Sequence, residues 1–173
     1  MSTGSANVRI RGYDPSDLDA CHQLWVELNE WHRELYASPA IGGDDPGAQF
    51  DEHLYRVGAE HIWIAEGEGR PVGMAGMIRS EGESELEPIV VARHWRGRGV
   101  GDALARLVVD AARERGDRRL ITRQVARNEA ALRFFHGVGF DVLGQLELLA
   151  DFRKLEDQPW RGGPILAGRD FRV

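Results

Sequence analysis

A single cysteine stands among 173 residues, so Cys21 has no internal partner and a disulfide-stapled fold is excluded. No apolar run reaches membrane-spanning length, and no signal-peptide pattern opens the chain. A cytoplasmic protein with no membrane partner is the expectation. Basic excess is also missing. The formal net charge of −6 argues against a nucleic-acid partner and favours cationic small substrates. No group of His, Cys, Asp and Glu has metal-ligand spacing, so no metal is expected. There is no Cys–His or Ser–His constellation of the kind covalent catalysis needs, no internal repeat and no low-complexity tract. What remains is ordinary globular material, 42% hydrophobic and 29% charged, long enough for one well-buried domain and short for two.

One stretch organises the rest, Ile89–Gly101, where a β-branched run meets a glycine-rich loop and a helix follows at once. Glycines let backbone approach an anion, and the first turn of a helix carries unpaired N–H groups at the positive end of its dipole. Arg96 and Arg98 add two cations at the mouth. A dinucleotide loop would need G-x-G-x-x-G, but the sixth position counted from Gly97 or Gly99 is Asp102 or Leu104. A nucleotide P-loop would need a lysine after Gly101, and none is there.

In chain order, residues 1–7 are small and polar and read as disordered. Val8–Tyr13 reads as a strand. Asp14-Pro15 opens a helix to about Tyr36, with Leu18, Cys21, Trp25, Leu28, His32 and Leu35 at three- and four-residue steps. Ser38–Gly47 must be loop, and residues 48–58 a short helix through Phe50, Leu54 and Val57. Strands follow at 61–66, 72–79 and 86–91, with hairpin turns between them. A helix runs from Gly99 to Arg115, stopped by Gly116, with Asp102–Arg106 and Arg106–Asp110 as surface pairs. Residues 118–125 read as a buried strand, 128–138 as a helix, and 140–143 and 146–152 as two last strands. The tail 153–173, containing Pro159, reads as irregular, with Trp160, Ile165, Leu166 and Phe171 seeking burial. The order describes an α/β (α+β mixed-sheet) single domain of about seven strands and four helices.

Arg96-Gly97-Arg98-Gly99-Val100-Gly101, four residues beyond a Val-rich strand, closely resembles the coenzyme A pyrophosphate loop of the GCN5-related N-acetyltransferase (GNAT) family. Asn128-x-x-Ala131-x-x-Phe134-Phe135-x-x-x-Gly139-Phe140 resembles the same family's last helix. The resemblance covers roughly residues 8–152 and leaves 153–173 as an extension. It implies the GNAT fold and acetyl-CoA as cosubstrate. It further implies a diphosphate held by backbone amides of residues 97–102, Asp102 included. Ile89, Val90 and Val91 would lie along the pantetheine arm, with Asn128, Ala131, Phe134 and Phe135 beside it. A homodimer is possible on the same grounds. Phe135 stands where the family usually carries the tyrosine that protonates the leaving thiolate, and Phe has no proton to give.

Acetyl transfer to an amine needs a group to take the amine's proton, donors for the tetrahedral oxyanion, and a held nucleophile. Glu87, in the strand before Ile89, is the candidate base. The other reading of Glu87 is an exposed residue at a sheet end, and Glu85 is a second candidate. His53 and His61 fall on the expected substrate side, as contacts or as solvated side chains. His22 and His32 read as surface or satisfied histidines, and His136 as a spare proton donor. Trp25 and Trp31 read as core. Asp44, Asp45, Asp51, Glu52, Glu85 and Glu87 fall in segments expected around the acceptor, which suits a cationic amine: a polyamine, an aminoglycoside-like compound or an amino-acid derivative. The function expected is N-acetylation of a small-molecule amine. The alternative is a coenzyme A-binding sensor or scaffold without catalysis.

Overall fold

The computed structural model describes residues 7–157 and 160–173. The expectation for residues 1–6 and for Pro159 falls outside them. The chain forms two compact units, one of residues 7–34 and 38–122, the other of Leu35–Ala37 and Arg123–Val173.

The first unit is built on a five-stranded sheet in the order β1-β2-β3-β4-β5. β1 (Val8–Gly12), β2 (Ile62–Gly67), β3 (Arg70–Ser80) and β4 (Glu83–Val91) are antiparallel neighbours, and β5 (Arg119–Ile121) runs parallel to β4. The sheet is mixed, as expected. Three helices belong to this unit: α1 (Leu18–Tyr36, whose last residues fall in the other unit), α2 (Gln49–Val57) and α3 (Val100–Arg115). A 3-10 turn at Pro15–Asp17 precedes α1. Asp14 caps it by accepting from the Ser16 amide, and Asp17 reaches back to the Asp14 amide. Asp17 is nearly fully buried, so its carboxylate needs a partner. Arg11 supplies two hydrogen bonds, at 2.7 and 2.8 Å, and holds the carboxyl below its ordinary pKa.

Alternation along the strands sorts side chains to two faces. On one face Ile62, Ile64, Met74 and Val90 pack with Cys21 and Leu24 of α1 and Phe50 and Val57 of α2. On the other lies α3, with Val100, Leu104, Ala105, Val108 and Ala112 buried. A side chain at Gly73 would point at Leu104, only 3.3 Å away. The periodicity of α1 is observed, although Trp25 and Leu28 are only partly buried while Asn29, whose Nδ2 donates to the Trp25 carbonyl, is buried. The i,i+4 pairs expected on α3 give way to an Asp110–Arg113 contact at 3.3 Å.

Two expected elements differ. The buried strand over 118–125 is three residues long and none of the three is buried, because its pairing with β4 stops at Glu85–Ile121. A strand exists only as long as its ladder partner runs alongside. The strands expected at 140–143 and 146–152 do not form. Residues 141–150 are exposed and carry no regular structure, since alternation without a neighbouring strand leaves the backbone unpaired.

The second unit holds α4 (Glu129–Gly137) and a hairpin of β6 (Gly162–Leu166) and β7 (Arg169–Arg172) in the tail expected to be irregular. Ala167 and Gly168, both at positive φ, make the turn. Ile165 is exposed, whereas Trp160, Leu166 and Phe171 are half-buried. Among the described residues the count of seven strands and four helices matches the expectation, with two of the strands in different places.

Trp95 lies at the entrance to the glycine loop and is 7% exposed. A Cβ at Gly67 would sit 2.6 Å from its ring, so the ring packs flush on the β2 backbone. A bulky residue at 67 must expel the ring. Gly67→Val is expected to lower stability by about 1–3 kcal/mol, the usual cost of overpacking. Urea denaturation measures it, and an unchanged midpoint would show the ring free to move aside.

Candidate functional site

β4 uses its hydrogen-bonding capacity unevenly. Ala92 N–H donates to the Val72 carbonyl at 2.9 Å, so at the end of the strand residues 92 and 90 turn their polar groups to β3. Ile89 and Val91 therefore turn theirs to the opposite edge. β5 does not occupy that edge, because its ladder ends at Glu85. β4 therefore runs on past the end of β5 with no strand on that edge among the described residues, and Thr122 Oγ1 donates to the Leu86 carbonyl at 3.4 Å. Of the two valines that end the strand, Val91 turns its backbone groups to this open edge. Val90 has its backbone toward β3 and its side chain in the core.

Past Val91 a turn at Arg93–Trp95 leads into the glycine loop. Gly97 and Gly99 have φ of 71° and 80°, the left-handed region that glycine enters without strain. Gly99 is the N-cap of α3, and the first amide bonded within the helix is that of Ala103, to the Gly99 carbonyl. By helix geometry the amides of Val100, Gly101 and Asp102 have no intrahelical acceptor and point out of the helix end. The two arginines expected at the mouth are each laid on an aromatic ring. Arg98 lies 5.0 Å from the Trp95 ring centre and Arg96 5.9 Å from that of Trp31. Arg96 Nε also donates to the Val91 carbonyl at 2.9 Å, which confirms that this oxygen faces away from β3.

Glu87 sits in a bulge. Ala75 pairs with Ile89 and Met77 with Leu86, so Glu87 and Pro88 together oppose the single residue Gly76. The Glu87–Pro88 peptide is cis. A Cβ at Gly76 would lie 2.6 Å from the Glu87 carbonyl oxygen and 3.2 Å from His53 Nε2, so only glycine fits there. The Glu87 carboxylate is 44% exposed, and Arg56 Nη2 donates to it at 3.0 Å.

The same Arg56 nitrogen lies 3.2 Å from His53 Nδ1. A guanidinium only donates, so Nδ1 is the acceptor and the imidazole proton is on Nε2. Nε2 is buried against the Glu87 backbone carbonyl without a well-formed hydrogen bond. His53 is itself 3% exposed and stacks on Trp25 with ring centres 4.9 Å apart. Burial pushes its pKa down to about 4, and the Arg56 cation pushes the same way. The expected helix 48–58 rests on Phe50, Leu54 and Val57, and the structure adds His53 to its inward face, three residues after Phe50 and four before Val57, a spacing visible in the sequence.

An open cleft of about 440 Å³ lies between α1 and the start of α2, lined by His22, Glu27, Asp45 and Asp51 among others. His22 and Asp51 are 2.8 Å apart, and Glu27 accepts from the Arg93 amide at 2.8 Å, which ties the cleft wall to the end of β4. Asp44 and Glu52 are exposed, and Glu85 is half-buried on β4. His61 Nε2 lies 3.3 Å from Glu60, and His136 is exposed.

In the second unit Asn128 caps α4, its Oδ1 accepting from the Ala131 amide at 3.1 Å. That leaves its Nδ2 for another partner. Phe135 is 4% exposed between Phe134 and Phe140, at ring distances of 5.0 and 5.3 Å. Gly139, at φ 101°, ends the helix as expected, but no strand follows. Arg127, just before Asn128, is buried between the rings of Tyr36 and Trp160, each 5.6 Å away. Nothing in the spacing of the sequence pointed to that sandwich.

The depressed pKa of His53 makes stability pH-dependent. Folded, it stays neutral down to about pH 4, whereas unfolded it charges below about 6.5. Its contribution is therefore whole above pH 6.5 and is lost as pH falls from 6.5 to 4, by about 3 kcal/mol in all. His53→Gln should flatten that part of the stability–pH curve relative to the unsubstituted protein, read by urea denaturation at pH 7 and 4.5. Parallel curves would place the titration elsewhere.

Residues 24–140 match the model of the Acetyltransferase (GNAT) family. A probable N-acetyltransferase, camello, from Xenopus tropicalis is 35% identical over 82 residues, which cover 46% of this chain and 37% of that one. An uncharacterized N-acetyltransferase, MJ1207, from Methanocaldococcus jannaschii is 31% identical over 96 residues, covering 51% and 42%. The chain thus spans about two fifths of the length of these curated relatives. Among solved structures, AAC(6')-Iy in complex with the bisubstrate analogue CoA-S-monomethyl-acetylneamine is similar in fold at a TM-score of 0.61. It is 20% identical, with 84% of this chain and 99% of that one covered. Since the family model takes in the open edge of β4, the glycine loop and α4 alike, the protein belongs to the GNAT acetyltransferase family.

Proposed function

We propose that the protein is an N-acetyltransferase that moves an acetyl group from acetyl-CoA to a primary amine of a small, cationic molecule, with Glu87 as general base. The observation that carries this is the outward edge of β4 beyond Glu85, whose Ile89 and Val91 backbone groups β5 does not take up. A pantetheine arm carries amides that pair with such an edge as a strand would. The glycine loop fits the adjoining diphosphate: left-handed Gly97 and Gly99 clear the approach, and the amides of Val100, Gly101 and Asp102 donate. The solved relative bound to a coenzyme A analogue supports the same cosubstrate. The family pattern also gives Asn128, Ala131, Phe134 and Phe135 to the thiol arm.

The chain's own groups divide the work. Glu87 takes the proton of the attacking amine, directly or through a water. Val91 N–H donates to the carbonyl oxygen as charge builds on it. The amine nitrogen bonds to the acetyl carbon, the carbon–sulfur bond breaks, and the sulfur takes a proton from solvent because Phe135 has none to give. The acidic cleft beside α1 supports a cationic acceptor. The homodimer implied by the family belongs to the same reading, supported by the exposed apolar side chains of Val142, Leu148, Leu149 and Phe152.

Phe135 favours one second reading, a coenzyme A-binding module without turnover. Thiol release across an amine panel separates the two. Glu87→Gln is expected to cut kcat by about 10²–10⁴ while leaving coenzyme A affinity intact. Full activity in this variant would remove Glu87 from the mechanism, and cofactor binding without turnover of any amine would favour the module. Gly99→Val forces a β-branched residue to φ 80° at the anion site. Calorimetry should show coenzyme A affinity reduced at least about tenfold, the scale of a lost charge-assisted contact. Undiminished affinity would move the diphosphate away from this loop.

A further inference from the structure

Resting on the reading of Glu87 as the group that meets the acceptor amine, we infer that the acceptor also carries a carboxylate beside that amine and that Arg56 recognises it. The acceptor class is then an amino acid or an amino-acid derivative with a free carboxylate, rather than a polyamine or an aminoglycoside-like compound.

Arg56 is the cation nearest the proposed base, with Nη2 at 3.0 Å from Glu87 Oε1. It projects from α2, and its side chain is 58% exposed. Nη2 is shared between Glu87 and His53 Nδ1, and among the described residues no other hydrogen bond of the guanidinium is seen. A guanidinium carries five N–H groups in one plane. With Nη2 committed to Glu87 and His53, the Nη1 and Nε–H groups remain to donate, singly, to a further anion beside Glu87. His53 makes the position of the guanidinium a fixed feature. Its buried imidazole is stacked on Trp25, and its lone pair faces Arg56. Because it is neutral throughout the physiological range, it holds the arginine and does not repel it.

Charge decides between acceptor classes. A purely cationic acceptor bringing its ammonium to Glu87 would share one carboxylate with an arginine already there, and the two cations would repel each other. An α-amino acid carries its opposite charges one carbon apart. Its ammonium meets Glu87 and its carboxylate meets Arg56, so two opposed ion pairs lie side by side and the repulsion becomes attraction. Further cationic groups on such an acceptor remain compatible with the acidic cleft.

The experiment follows thiol release from acetyl-CoA with amino acids, each matched to its carboxamide and to its decarboxylated amine. With the unsubstituted protein the free acids should have KM at least about tenfold lower than their partners, as expected for a charge-assisted contact. Arg56→Gln should bring the ratio to about one, and Arg56→Lys, which keeps charge but loses the planar guanidinium held by His53, should fall between. A urea midpoint for each variant confirms folding. Amides or decarboxylated amines that match or exceed the acids would overturn the inference, as would a preference that survives Arg56→Gln. If no amine is acetylated at all, the acetyltransferase reading fails separately. Calorimetric titration of the same amino acids into the coenzyme A-loaded protein then decides the present point: Arg56-dependent binding sustains carboxylate recognition, and its absence overturns it.

Discussion

The site depends on a hydrogen-bonding ladder that stops early. β4 is nine residues long but lends β5 only Glu83–Glu85. Backbone amides and carbonyls cannot be left idle in a protein interior without a cost of about 1–3 kcal/mol each. A strand whose outward groups have no ladder partner over its second half must leave them to side chains, to water or to a ligand. Arg96 shows the demand, since its side chain turns back to satisfy the Val91 carbonyl. The glycine loop then follows without a break, so one continuous piece of chain supplies both an open strand edge and a helix start whose first amides have no intrahelical acceptor. β3 and α3 hold that piece from the two sides, and Gly73 lets β4 and α3 close on β3 without a side chain between.

The bulge at Glu87–Pro88 sits where the paired half of β4 meets the open half. Two residues opposite Gly76 offset the ladder, and His53 fills the space that a side chain at 76 would take. Burying a neutral histidine there has a definite electrostatic effect. A protonated imidazole would repel Arg56, whereas the neutral ring accepts from it and holds the guanidinium on the Glu87 carboxylate. An ion pair between half-exposed groups contributes little to stability, on the order of 0–1 kcal/mol. Its consequence is positional: the carboxylate is oriented and shares its charge with a cation.

Much of this was legible in the sequence, where local rules and the fold agree. The Asp14-Pro15 start, the Glu68-Gly69 turn, the glycine loop and the stop at Gly116 each need only a few neighbouring residues, and each is in place. Alternation along 86–91 gave the strand but not the bulge, because a bulge is a mismatch between two strands and only their register reveals it. The same blindness to partners explains the strands expected beyond Gly139. Phe140, Val142, Leu146 and Leu148 carry a strand's spacing, yet spacing does not supply a neighbour to pair with. His53 and Arg56 were missed as a pair for a related reason: their importance comes from Glu87, 31 residues beyond Arg56.

Phe135 at the place of an expected acid bears on how much catalysis the site could lose. A thiol with the ordinary cysteine-like pKa near 8.5 lies only about 1.5 units above neutral pH. Protonating the departing sulfur is then worth at most about 2 kcal/mol, because a free thiolate is already a tolerable leaving group. Moving the proton off an amine with a pKa about 3 units above neutral is the larger demand, on the order of 4 kcal/mol. The balance places the chemical burden on the base side, the role proposed for Glu87, and lets an apolar ring replace a phenol at modest expense in rate. A buried phenylalanine packed between two others also keeps water from that part of α4, which an exposed hydroxyl would not. The substitution is therefore compatible with turnover by the proposed reaction.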